Sequence, residues 1–150
     1  MFSMNNSQTT NKPVSLHNKI SFGECSGLNI DGGEEVKGVL GLGGKIQSNP
    51  GEPELILFIK FKEQVNISGI QIECFDKDFY PGTMKLYSNV ANLDFSDVEE
   101  LSATETLNLN NNFGKIITLK IAKFRSVQNL AVGFFLKIKI SYLNFLGLFV

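Results

Sequence analysis

The amino-acid sequence predicts an all-β fold, an antiparallel jelly-roll β-sandwich, on three observations. From Glu54 onward, short runs rich in Ile, Leu, Phe and Val are separated by clusters of Asn, Gly, Asp and Pro, which is strand and turn grammar. Several of those runs alternate apolar with polar residues, as strands with one core face and one wet face do. Hardly any helical periodicity is present to cross over a parallel sheet. At 150 residues, with 43% hydrophobic residues and 13 phenylalanines, one domain can bury a sizeable core without disulfides or metal.

In chain order, residues 1–15 read as a disordered polar tail without the apolar stretch of a signal peptide, and residues 16–150 as the sandwich domain. Leu28 to Pro53 is glycine-rich and irregular, a type of stretch that is functional or mobile in compact domains. Leu55 to Phe61 is a near-continuous apolar run, which predicts a strand covered on both faces or at a sheet centre. Val65 to Phe75 alternates, but its phase slips by one residue at Ser68-Gly69, predicting a bulge or bend. Asp76 to Gly82 carries loop chemistry, and Thr83 to Ser88 is a strand with Met84 and Leu86 on its core face.

Asp94 to Leu101 is the one helical candidate, with Ser96 and Glu99 spaced as a capping box. Asn89 and Asp94 are expected to fix the preceding turn through side-chain hydrogen bonds. Ile116 to Ile121 and Leu136 to Tyr142 alternate again, with Thr118, Lys120, Lys137, Lys139 and Ser141 on the faces away from the core. The hydrophobic run Leu130 to Val150 is interrupted by Lys137 and Lys139, so it reads as core strand rather than a membrane span.

A net charge of −1 excludes strong steering of the whole molecule toward nucleic acid or anionic membrane. The distribution is uneven. Residues 1–105 hold all 15 acids against 8 lysines, whereas residues 106–150 hold 6 cations and no acid. If the C-terminal strands share a face, Lys120, Arg125, Lys137 and Lys139 form a strip suited to an acidic partner. The simpler reading is that the lysines pair across strands with Glu54, Glu63 and Glu73.

Catalytic and metal motifs are poorly represented. Cys25 and Cys74 lack redox or metal-ligand spacing and read as packed thiols of a reducing compartment. Gly38 to Lys45 resembles a phosphate-binding loop only superficially: Val39 stands where glycine is required and Ile46 where Ser or Thr would meet magnesium. The single histidine, His17, borders the polar tail and reads as a surface residue rather than a base. Asp76/Asp78 and Glu99/Glu100 lack further ligands at calcium-loop spacing. One arginine and no tryptophan argue against nucleic acid and against sugar stacking. Asn66 marks a turn rather than a glycosylation site.

Several segments, taken in order, resemble the PITH domain. Glu24-Cys25-Ser26-Gly27-Leu28-Asn29 is similar to its Glu-Cys-Leu-Asn signature, and Glu54 to Phe61 followed by Val65-Asn66-Ile67 to its paired opening strands. The most specific piece is Gly82 to Asn89 with Leu93-Asp94-Phe95-Ser96-Asp97 and Leu107-Asn108-Leu109. Lys123 to Leu130 and Ile140 to Gly147 look like its last two blocks. The chain departs from the pattern at Ser48 to Pro53, which replaces an acidic approach to the first core strand, and between Phe134 and Lys137, where a polar hairpin turn is shortened.

The resemblance implies a galactose-binding-like jelly roll and a non-catalytic adaptor, cytoplasmic and also nuclear, that associates with the regulatory particle of the 26S proteasome. No cofactor is expected, and the partner is a protein, met by a monomer without nucleic acid or membrane. From the residues, Phe79 and Tyr80 beside Asp76 and Asp78 form one expected half of the docking surface, and Lys120, Arg125, Lys137 and Lys139 the other. The alternative reading is a module for small ligands or carbohydrate.

Overall fold

The computed structural model describes residues 13–31, 36, 40, 45–49, 54–74, 81–90, 92–109, 114–135 and 143–150. Its strands are β1 (Ser26–Leu28), β2 (Lys45–Ile46), β3 (Glu54–Val65), β4 (Gly69–Cys74), β5 (Thr83–Ser88), β6 (Glu105–Asn108), β7 (Ile116–Thr118), β8 (Val127–Phe135) and β9 (Leu143–Phe149). One short helix, α1 (Phe95–Glu100), lies between β5 and β6. Among the described residues the strands pair antiparallel in two sheets, of order β1-β3-β8-β5-β6 and β2-β9-β4-β7. This is the all-β sandwich expected from the sequence.

The apolar run at Leu55 is explained by its place. β3 is an interior strand, registered with β8 through pairs such as Phe58↔Ala131. Its alternate residues Leu55, Leu57, Ile59 and Phe61 enter the core between the sheets, where they meet Ile70, Ile72 and Leu148 of the facing sheet. Each such fully buried aliphatic side chain stabilises the fold by about 1.5–3 kcal/mol. Met84 and Leu86 of β5 are also fully buried there.

Ile56 and Phe58 point the other way, to the outer face of the five-stranded sheet, and that face has its own cover. The segment from Val90 to Ala103 lays Leu93 and Val98 against Ile56, Tyr87 and Ala131. Asp94 caps α1 by accepting the Asp97 N–H at 3.0 Å, and the Asp97 carboxylate accepts the Asp94 N–H in return. The capping box is therefore Asp94/Asp97, not Ser96/Glu99. Leu93 and Val98 occupy the positions before the cap and on the fourth helical residue, and their burial together staples the helix in this register.

The phase slip at Ser68-Gly69 is neither a bulge nor a simple bend within one strand. β3 ends at Val65 in one sheet and β4 begins at Gly69 in the other, so residues 66–68 form a corner between the layers. Fully buried Ile67 plugs that corner. The C-terminal hydrophobic run is also split, β8 going to one sheet and β9 to the other. Val14 and Val150 exchange backbone hydrogen bonds beside β9. No described helix is long and apolar enough to cross a membrane.

The expected strand Ile116 to Ile121 is shorter. β7 stops at Thr118 and the chain turns through a 3-10 helix, Ile121–Lys123. The expected strand Leu136 to Tyr142 lies outside the described residues, as does most of Leu28 to Pro53.

Candidate functional site

The connection between β7 and β8 is built around two anchors. Leu119 and Phe124 are both buried, and Phe124 completely so. Each is tied to the corner at 66–68: the Leu119 N–H donates to the Ser68 carbonyl and the Ile67 N–H to the Phe124 carbonyl, both at 2.9 Å. Between them the 3-10 turn closes with the Lys123 N–H on the Lys120 carbonyl at 2.9 Å and the Phe124 N–H on the Ile121 carbonyl at 3.0 Å. The Lys120 N–H donates to the Glu105 carboxylate at 3.0 Å. Beyond Phe124, Ser126 takes a positive φ of 54° and donates its N–H to the Asn66 side chain at 3.0 Å. Asn66 thus marks a turn, as its residue type indicated.

What this frame leaves outside is a tip of mixed chemistry. Lys120, Lys123 and Arg125 are exposed, and among the described residues none makes an ion pair. Ile121 stands between them at 50% exposed. Alternation from Ile117 and Leu119 assigns Ile121 to the core, but Phe124 fills that place and the turn pushes Ile121 out. A half-exposed aliphatic residue on a turn that also carries three exposed cations suits a partner surface that is acidic around an apolar centre. The charges of Lys120 and Arg125 are visible in the sequence, and the exposure of Ile121 is not.

Lys120 is the residue before the 3-10 turn rather than a residue of a sheet face, and Arg125 lies in the same connection between β7 and β8. Asp76, Asp78, Phe79, Tyr80, Lys137 and Lys139 lie outside the described residues. The described residues that flank them, Cys74 with Gly82 and Phe135 with Leu143, sit at the far end of the strands from Thr118 and Val127. Of the acids expected to neutralise the basic strands, Glu63 pairs instead with Lys19, at 2.5 Å.

The remaining chemical candidates have ordinary surroundings. His17 is exposed, with its ring 5.0 Å from that of Phe22. Cys25 is buried and its thiol donates to the Ser21 carbonyl at 3.4 Å. Among the described residues no group of three or more His, Cys, Asp or Glu side chains could hold a metal ion.

Comparison with known proteins agrees with this architecture. The chain is 32% identical over 82 residues to PITH domain-containing protein 1 of Xenopus laevis, covering 54% of this chain and 39% of that protein. It is 31% identical over 90 residues to PITH domain-containing protein 1 of Homo sapiens, covering 59% of this chain and 42% of that protein. The matched region thus spans about two fifths of each relative. The PITH domain family itself matches residues 6–150, the two sheets, the Asp94 cap and the basic turn included, and the chain belongs to that family, whose fold is a galactose-binding-like β-sandwich.

Proposed function

We propose that this chain is a protein-binding module without chemistry of its own, and that its partner is the regulatory particle of the 26S proteasome. The partner comes from the family resemblance; the observation that carries the binding reading is the position of Ile121. An aliphatic side chain left 50% exposed on a turn pinned by two buried anchors loses little further entropy when a partner covers it. Lys120, Lys123 and Arg125 around it raise the encounter rate with an acidic surface and disfavour basic ones. Phe79 and Tyr80, with Asp76, Asp78, Lys137 and Lys139, stand as candidate contacts for a second face. A monomer meeting that partner in the cytoplasm and nucleus fits this reading.

The test is retention of purified regulatory particle by the immobilised chain. Wild type should retain it in a salt-sensitive manner, and Ile121→Ser combined with Lys123→Glu should lower retention about tenfold or more. Failure of wild type to retain the particle overturns the partner. Equal retention by wild type and variant overturns the surface. Wild-type stabilisation by a glycan or metabolite in a thermal-shift screen, with no particle retained, favours the small-ligand reading.

A further inference from the structure

The cover over the five-stranded sheet stops short of β1, and a groove opens between them. Leu28 from β1, half-buried Phe58 from β3 and Leu93 from the cover give it apolar surface, beside polar lining from Ser26 and Asn92. Its volume is about 360 Å³, and Asp94 and Asp97 stand on its rim. On the other side of Phe58 a smaller hollow of about 90 Å³ shares Ser26 and Phe58 with it and reaches Glu24 and Lys60. Phe58 therefore divides one trough that runs along β3 from beside Ile56 to Lys60, about 13 Å at the rise of an extended strand.

Two properties of the trough define its guest. First, Phe58 is the outer-face residue of an interior strand that the cover leaves partly open, so apolar area there is available to a side chain from outside. Second, its rim carries Glu24, Asp94 and Asp97 against one cation, Lys60. The two aspartates are held in place by their own cap. One oxygen of Asp94 accepts the Asp97 N–H at 3.0 Å and the Ser96 hydroxyl at 2.6 Å, and one oxygen of Asp97 accepts the Asp94 N–H at 3.0 Å. Two carboxylates held in place beside apolar side chains complement a cation next to an apolar side chain.

We propose that this trough binds an extended segment of a protein partner, about four residues long, that lays an apolar side chain over Phe58 and directs a Lys or Arg side chain to Asp94 and Asp97. The proposal deepens the reading of the chain as a protein-binding module by adding a further surface, opposite in charge to the Ile121 turn. It does not depend on which assembly that turn meets.

Isotope-labelled chain titrated with short synthetic peptides tests it. One is an acetylated, amidated hexapeptide with a Leu between two Lys; the other has Glu in place of Lys. The basic peptide should produce saturable shifts at the amides of Gly27, Leu28, Asp94 and Asp97, and the acidic one none there. Asp94→Asn with Asp97→Asn should weaken the basic peptide about fivefold or more while keeping the helix, because Asn also caps. Phe58→Leu should weaken the basic peptide as well. Shifts of equal size for both peptides, shifts centred elsewhere, or unchanged affinity in the double Asn variant would overturn the proposal. So would broadening of the trough resonances that grows with chain concentration alone, which would place a second copy there.

Discussion

Asn89, at the end of β5, holds the start of β8: its side-chain oxygen accepts the Gln128 backbone N–H at 2.8 Å while its amide donates to the Ser126 carbonyl at 3.2 Å. Asn89 itself sits at a φ of 61°, where Asn is tolerated and other side chains are strained. Asn89→Ala loses these bonds and a longer one from the Asn129 N–H, at 3.4 Å, and keeps the strain, so it should cost about 1–2 kcal/mol. Asn89→Gly loses the bonds but relieves the strain, so urea midpoints should rank wild type, then Gly, then Ala. A Gly variant no more stable than Ala would show that φ does not matter at this turn.

The edge of the Phe135 ring stands against Gly133 on the outer face of the five-stranded sheet. A Cβ at Gly133 would come within 2.9 Å of the ring, and the Lys85 ammonium stands 5.6 Å from the ring centroid. Gly133→Ala should push the ring off the sheet and cost about 1–3 kcal/mol by overpacking. Combining it with Phe135→Leu should recover part of that loss in chemical denaturation, since the clash is with the ring.

Tyr87 is buried under the cover, and its hydroxyl has no hydrogen-bond partner among the described residues. Tyr87→Phe removes a stranded polar atom and keeps the ring, so the variant should be about 1 kcal/mol more stable, a rise in Tm of about 2–4 °C. Burial also raises the pKa of this phenol. A raised folded-state pKa means that stability is full below the unfolded value and falls as pH rises past it. The advantage of the Phe variant should therefore widen above about pH 10.

Much of the fold was legible because burial leaves a pattern in strands. The run Leu55 to Phe61 reads as covered on both faces, and its two faces do enter two separate cores. The same pattern cannot tell a bulge from a change of sheet, because both shift the phase by one residue at Ser68-Gly69. At α1 two acid spacings compete, Asp94 with Asp97 and Ser96 with Glu99. Leu93 and Val98 decide between them by burying together, a tertiary fact. Of the docking surfaces, the cations of the basic turn are visible in the sequence. Ile121 is not, because its exposure follows from Phe124 taking the core position five residues after Leu119.

That division between Phe124 and Ile121 separates stability from binding. Phe124→Ala empties a fully buried site and should cost about 3–5 kcal/mol. Ile121→Ser should change stability by no more than about 0.5 kcal/mol. If thermal unfolding finds Ile121→Ser as damaging as a core substitution, Ile121 is packed in solution and the turn is no docking surface.

The acid side of the stability profile should report the α1 cap. The Ser96 hydroxyl, and then the Asp97 N–H, hold the Asp94 carboxyl below its ordinary range, and Lys19 does the same for Glu63. A depressed folded-state pKa contributes stability that is present above the unfolded value and lost as pH falls through the folded one. The thermal midpoint should thus be level above about pH 5 and drop below about pH 4. Asp94→Asn keeps a capping acceptor without a titrating group, so it should fold well at neutral pH and show a smaller drop in acid. Adding Glu63→Gln should shrink the drop again at low ionic strength, and molar salt should abolish that second difference, since both partners of the Lys19 pair are exposed. An Asp94→Asn variant with the full wild-type drop would mean that the cap is not closed in solution.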